Sequence, residues 1–251
     1  MLVTLLLSAV GIYGFFSAYL YLNQRSFIYI PVAYEPGDLE QLAINSPDAT
    51  TYATVLNPGN PQAIIYFGGN AEIVDYSADM FSLVFPKHTV YLAKYRGYGH
   101  SQGRPTEPGI YADALAVFDA VKPQHQSISI IGRSLGAAVA TWVATHRDID
   151  RLILVAPFDS VLAIARSMYP LFPVKLLLKD KHDSLSRAGR ISVDTLVIAG
   201  EQDRIIPRKH TDALVQGFTG ANIHYEVFPD MGHNGWSQNS DYYRVLGEFM
   251  N

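Results

Sequence analysis

Ser129-Ile130-Ile131-Gly132-Arg133-Ser134-Leu135-Gly136-Ala137-Ala138 is the stretch on which the reading of this chain turns. A short apolar run ends in glycine, one serine stands between two glycines, and a small-residue helical pattern follows. The pattern predicts a strand, a turn too tight for side chains, and a helix N-terminus, with Ser134 at the apex: a nucleophile elbow. Gly132 and Gly136 carry no Cβ, so strand and helix can pack closely while the turn holds strained dihedrals. The helix start then places unpaired N–H groups and the positive end of its dipole beside the serine oxygen.

Outward from that turn, the sequence reads as alternating strands and helices. Ala63–Phe67, Thr89–Ala93, Ser127–Ile131, Arg151–Val155 and Thr195–Ala199 are continuous apolar runs, the signature of strands buried on both faces. Ile223–Phe228 is the last strand, and Arg25–Pro31 with Thr50–Leu56 predicts an antiparallel start. Helical spacing covers Tyr111–Val121, Leu135–Thr145 and Tyr242–Phe249. Alternation of this kind implies an α/β fold with a mostly parallel sheet and helices on both faces. Function in such sheets gathers beyond the carboxyl ends of the strands, where Gly69, Ser134, Asp159, Asp203 and His233 all fall. One segment breaks the alternation: residues 160–190 are longer than a crossover needs and read as a small helical cap.

The chain has 251 residues, 49% of them apolar and 17% charged, with a net charge of −4. Its length supports one sizeable core, and its balance excludes disorder. The negative charge and the lack of a basic stripe argue against nucleic acid. With no cysteine, disulfides, thiol catalysis and cysteine metal sites are excluded. No His-Glu-x-x-His or similar ligand cluster points to a metal, and no cofactor motif is present. Met1–Leu22 carries no charged side chain; as a helix it would reach about 33 Å, close to the thickness of a bilayer hydrocarbon core. Residues 1–24 are therefore read as an uncleaved membrane anchor, against a signal peptide or a buried helix. Arg25 alone leaves the side of the membrane open.

A serine hydroxyl needs a base, and the base needs an orienting acid. Of eight histidines, His233 lies in the glycine-flanked loop after the last strand and is the candidate base. Asp203, in a Gly-x-x-Asp turn stopped by Pro207, is favoured over Asp159 as the acid; Asp159 is better placed to start the cap. A developing oxyanion needs donors. The backbone N–H of Leu135 is one, and the Gly69-Asn70 loop should supply the other.

Phe67-Gly68-Gly69-Asn70-Ala71, Tyr95-Arg96-Gly97-Tyr98-Gly99-His100-Ser101, Gly132-Arg133-Ser134-Leu135-Gly136, Gly200-x-x-Asp203 and Gly232-His233 together resemble the α/β-hydrolase superfamily. Within it, the chain is similar to membrane-anchored serine hydrolases related to bud-emergence-type hydrolases and protein depalmitoylases, as are Gln24–Pro31 and Asp183-Ser184-Leu185. The resemblance covers nearly the whole chain. It implies a Ser134/Asp203/His233 triad in the chain order of that fold, with Asn70 and Leu135 as oxyanion donors. It also implies an anchor over 1–24 and a hydrolase domain over 25–251. Gly68, where relatives carry histidine, and Lys94, where they carry aspartate, depart from the pattern. The expected activity is hydrolysis of a carboxylic ester or thioester, with a lipid-like acyl substrate delivered from the bilayer. A serine peptidase and a non-catalytic membrane-tethered binding protein are the alternatives.

Overall fold

The computed structural model describes residues 1–250; Asn251, the last residue of the expected hydrolase domain, lies outside the described residues. The chain opens with α1 (Leu2–Ile28), followed by β1 (Gln41–Ser46), β2 (Ala49–Leu56), β3 (Gln62–Phe67), α2 (Ala78–Val84) and β4 (His88–Ala93). Then come α3 (Glu107–Val121), β5 (Ser127–Arg133), α4 (Leu135–Ala144) and β6 (Leu152–Val155). Three short helices, α5 (Val161–Met168), α6 (Val174–Leu177) and α7 (Leu185–Ala188), fill the expected cap. The chain closes with β7 (Thr195–Gly200), α8 (Arg208–Gly217), β8 (Ile223–Phe228) and α9 (Ser240–Met250).

The eight strands form one sheet in the order β1-β2-β4-β3-β5-β6-β7-β8. β2 runs antiparallel to β1 and β4, and every other pair is parallel. In the register of the sheet, Ile65 of β3 faces Tyr91 of β4 on one side and Ile130 of β5 on the other. Successive side chains of a strand point to opposite faces, so β3 feeds two cores. Ile65 and Phe67 join α3 and α4 in one, while Ile64 and Tyr66 join α2 and α9 in the other. Burial on both faces explains why the central strands read as unbroken apolar runs.

The start of the chain differs from the sequence reading. Arg25–Pro31 is not an antiparallel strand: α1 continues through Ile28, and the first strand begins only at Gln41. Tertiary contacts carry the helix past the apolar run. Arg25 pairs with Asp180 at 2.9 Å, the Gln24 amide donates to the Leu177 carbonyl, and Lys179 N–H donates to Gln24 Oε1 at 2.6 Å. Further up the helix, the Tyr13 hydroxyl donates to the Leu171 carbonyl at 3.0 Å and the Tyr13 ring stacks on Phe172. α1 thus lies along the cap, while its apolar run stays exposed.

Lys94 also has a structural reason. Its ammonium is buried and donates to Thr54 Oγ1 at 2.7 Å and to Gln41 Oε1, with Asp75 3.2 Å away. Burial lowers the lysine pKa and Asp75 opposes that shift. The carboxylate needed at this buried place comes from Asp75, and the cation from position 94.

The cap is keyed to the body by His182, which is fully buried. Its Nε2 meets the Tyr29 hydroxyl at 2.8 Å and its Nδ1 the Tyr111 hydroxyl at 3.0 Å. Glu107 accepts from the His182 N–H, and the Arg187 guanidinium donates to the Tyr111 hydroxyl. One residue from the end of α1, one from the cap and one from α3 therefore meet at a single imidazole. Burial holds the His182 pKa down to about 4, from 6.5, against the nearby Glu107 and Asp180 carboxylates and with help from Arg187. The folded protein keeps this histidine neutral while the unfolded chain protonates it. Its contribution is therefore present above the unfolded pKa and is lost as pH falls from about 6.5 towards about 4. A shift of this size corresponds to something on the order of 3 kcal/mol. His182→Gln, which cannot titrate, should flatten that part of the stability–pH curve relative to wild type in urea unfolding between pH 7 and pH 4. Equal slopes for the two proteins would refute this.

Candidate active site

β5 and α4 are joined through Ser134, whose backbone sits at φ 52, ψ −114, a conformation serine rarely adopts. The turn is held from both sides: Ser134 N–H donates to the Val155 carbonyl at 2.8 Å, and Ala137 N–H donates to the Ser134 carbonyl at 3.0 Å. The helix crosses the sheet so closely that a Cβ on Gly136 would lie 1.9 Å from the Phe67 carbonyl oxygen. One on Gly132 would lie 2.3 Å from the Gly136 carbonyl oxygen. No side chain fits at either position.

The loop after β8 brings His233 over this turn. Ser134 Oγ and His233 Nε2 are 3.0 Å apart, and His233 Nδ1 lies 2.7 Å from Asp203 Oδ2. With an ionised carboxylate and a neutral imidazole, this geometry has Nδ1–H donating to Asp203 and Nε2 accepting from the serine. Asp203 is fixed in turn: its Oδ1 accepts the N–H groups of Ile205 and Ile206 at 2.9 and 2.8 Å. Gln202 N–H donates to the Met231 carbonyl and ties the acid loop to the histidine loop. Asp159 takes no part in this chain. It accepts from Ser160 N–H at 2.6 Å and lies 3.0 Å from His210 Nδ1, at the start of the cap.

Asn70 and Leu135 both line the cleft above Ser134. Their backbone N–H groups make no hydrogen bond among the described residues. The Asn70 side chain faces the other way, with Oδ1 accepting from the Tyr98 hydroxyl at 2.7 Å and from Ile30 N–H at 2.8 Å. Gly68 is enforced by packing, since a Cβ there would lie 2.5 Å from Val74 Cγ1. Its carbonyl accepts from the buried Tyr95 hydroxyl.

Sequence reasoning passed over two residues that hold these parts together. Arg133, the variable position before the serine, donates to Glu72 Oε2 at 2.7 Å, to the His233 carbonyl at 3.0 Å and to Asn234 Oδ1 at 3.1 Å. Glu72 also accepts from Gly69 N–H and from the Tyr66 hydroxyl, each at 2.6 Å. Burial would lower the Arg133 pKa, but the adjoining Glu72 carboxylate outweighs it and keeps the guanidinium charged. A charged residue beside the elbow and another three positions beyond Gly69 were the available signal. Neither follows a strand pattern, so nothing in spacing pairs them.

The cleft has a volume of about 1030 Å³ and mostly apolar walls. Phe27 and Ile28 come from the end of α1, Val161 and Ile164 from the cap, and Ile205 and Ile206 from the acid loop. A smaller apolar cavity of about 100 Å³ adjoins it between α1 and the cap, sharing Phe27, Ile28 and Val161 and adding Leu20 and Phe172. No group of three or more histidine, aspartate or glutamate side chains able to hold a metal ion occurs among the described residues.

Comparison with known proteins bears on the fold. Residues 59–179 match the family described as serine aminopeptidase, S33. An uncharacterised protein of Mycobacterium tuberculosis is 35% identical over 181 residues, covering 70% of this chain and 64% of its own length. The chain thus spans somewhat under two thirds of that relative. The bem46 protein of Schizosaccharomyces pombe is 24% identical over 265 residues, covering 92% of this chain and 87% of its own. Among solved structures, an esterase from Pyrococcus furiosus superposes with a TM-score of 0.71 at 18% identity, covering 88% of this chain and 94% of that one. Eight strands in this order, a strand–serine–helix turn and these relatives lead to one assignment: the chain has the α/β-hydrolase fold and is similar to bud-emergence-type proteins of that superfamily.

Proposed function

We propose that this protein is a serine hydrolase that cleaves a carboxylic ester or thioester of an apolar acyl group, tethered to a membrane by α1. The observation that carries the reading is the hydrogen-bonded chain from Ser134 through His233 to Asp203 at the floor of the cleft. In this reading His233 Nε2 takes the proton of Ser134 Oγ as the oxygen attacks the acyl carbonyl. Asp203 holds the imidazole in the required tautomer and stabilises the imidazolium. The oxyanion of the tetrahedral intermediate is received by the N–H groups of Leu135 and Asn70, a donor of this kind being worth about 2.7–4 kcal/mol. Collapse of the intermediate expels the alcohol or thiol, which takes the proton from His233. Water, activated by the same imidazole, then releases the acid from Ser134.

The walls of the cleft favour an acyl chain over a peptide. An aminopeptidase must receive the charged amine of its substrate, which calls for a free carboxylate. Glu72 is the cleft's carboxylate among the described residues, and its two oxygens are already engaged by Arg133, Gly69 and Tyr66. Arg204 and Lys209 at the rim would repel an ammonium group. Apolar side chains from α1, the cap and the acid loop suit hydrocarbon instead.

A fluorophosphonate probe should label wild type and not Ser134→Ala; absence of labelling in folded wild-type protein would end this reading. Asp203→Asn should reduce kcat by about four orders of magnitude, by leaving the imidazole in the wrong tautomer. Across p-nitrophenyl esters, kcat/KM should rise from acetate to octanoate, and faster turnover of α-aminoacyl p-nitroanilides would favour the peptidase instead. Arg133→Met frees the His233 loop and leaves Glu72 without its cation. It should cost about 3 kcal/mol of stability in denaturant unfolding and lower kcat more than it raises KM.

A further inference from the structure

The contact between the cap and α1 sets where the molecule meets the bilayer. Two features mark the headgroup level on α1. Asn23, Gln24 and Arg25 end the uncharged run, and the Lys179 ammonium sits 4.3 Å from the centre of the Tyr21 ring. Tyrosine and lysine at a helix end are the side chains that settle at the membrane–water interface. Further towards the apolar end the cap also touches α1 at Tyr13, through Leu171 and Phe172. Tyr13 is eight residues towards the apolar end from Tyr21, or about 12 Å along the helix.

Between those levels the outer face of α1 is not covered by protein. Phe15 is 67% exposed and Phe16 51% exposed. The cap has the same character at this height: Leu171 is 81% exposed, and Met168 before it is 64% exposed. Leu176 is 83% exposed beside Lys175. Leaving this combined surface in water is unfavourable, at roughly 25 cal/mol for each Å² of apolar area. Arg166, Lys175, Lys179 and Lys181 are exposed on the same cap, in a chain whose net charge is −4. That places cations where anionic headgroups would lie.

From this geometry we propose that the tip of the cap, Met168–Phe172, is itself immersed in the leaflet alongside α1, with Lys175 and Lys179 at the headgroups. α1 cannot enter the hydrocarbon as far as its apolar run allows without carrying Leu171 and Phe172 with it. The apolar cavity between α1 and the cap, which shares walls with the cleft over Ser134, then opens among acyl chains and not into water. The inference rests on the membrane tether proposed above.

The chain has no cysteine, so single cysteines can be introduced and labelled without a background. Full-length Leu171→Cys and Leu176→Cys, each carrying an NBD fluorophore, are reconstituted into phosphatidylcholine vesicles containing a minority of phosphatidylglycerol. Leu6→Cys on α1 reports the tether. Leu83→Cys, exposed near the end of α2 away from the cap, reports the aqueous surface. The expected result is a blue shift at 171, with loss of most emission to nitroxide-labelled lipids and little loss to iodide, like position 6 and unlike position 83. Position 176 should behave likewise at a shallower depth. If position 6 is lipid-quenched while 171 and 176 respond to iodide as 83 does, immersion of the cap is overturned and the tether stands. If position 6 is also open to iodide, the tether fails and the inference falls with it.

Discussion

The contact between the first turn of α4 and the carboxyl end of β3 governs this structure. Gly136 approaches the Phe67 carbonyl so closely that not even a methyl group could stand between them. At that separation the chain can pass from β5 into α4 only by a sharp reversal, and the residue at its apex is forced to positive φ. The strain is sustained because both strands flanking β5 are paired along their length and the helix is buried beneath. From one steric constraint follow the exposure of the Ser134 oxygen, the free N–H of Leu135 and the nearness of the loop after β3. The remaining polar parts arrive on the loops after β7 and β8, which reach back towards this turn.

A second layer of organisation keeps these parts in register. Arg133 reaches from the elbow to the His233 loop and, through Glu72, to the loop that carries Asn70. The geometry at Ser134 thus depends on a largely buried ion pair, between the last residue of β5 and the loop after β3, whose members lie outside the Ser–His–Asp chain. Pairs of this kind are poor sources of net stability, because desolvation offsets most of the attraction. They are effective at specifying one arrangement, because breaking either partner is costly. The Lys94–Asp75 pair does the same below the Tyr95–Gly99 loop, and His182 does it with neutral groups where the cap, α1 and α3 meet.

The cap and α1 bear on what reaches the serine. They share a wall of the cleft, and their contacts run from Arg25 up to Tyr13. Moving α1 relative to the cap would therefore alter the cavity between them and the wall of the cleft together.

The amino-acid sequence by itself determined the alternating α/β order, the buried strands to within a residue or two, the elbow and the position of the cap. These are local: two-sided burial demands unbroken apolar runs, and a close helix–strand crossing demands glycine at two fixed places. It also singled out Ser134, Asp203 and His233, because strand ends and glycine-bearing loops mark them. Only the tertiary structure decided that these three meet within hydrogen-bonding distance and that Asp159 turns instead to His210. It alone showed that Arg25–Ile28 stays helical and that Arg133 pairs with Glu72. Each of those outcomes is a contact between segments far apart in the chain, set by which loops the sheet brings to the same edge. No periodicity within a segment records its partner in another, so such pairings become visible only once the sheet has placed them.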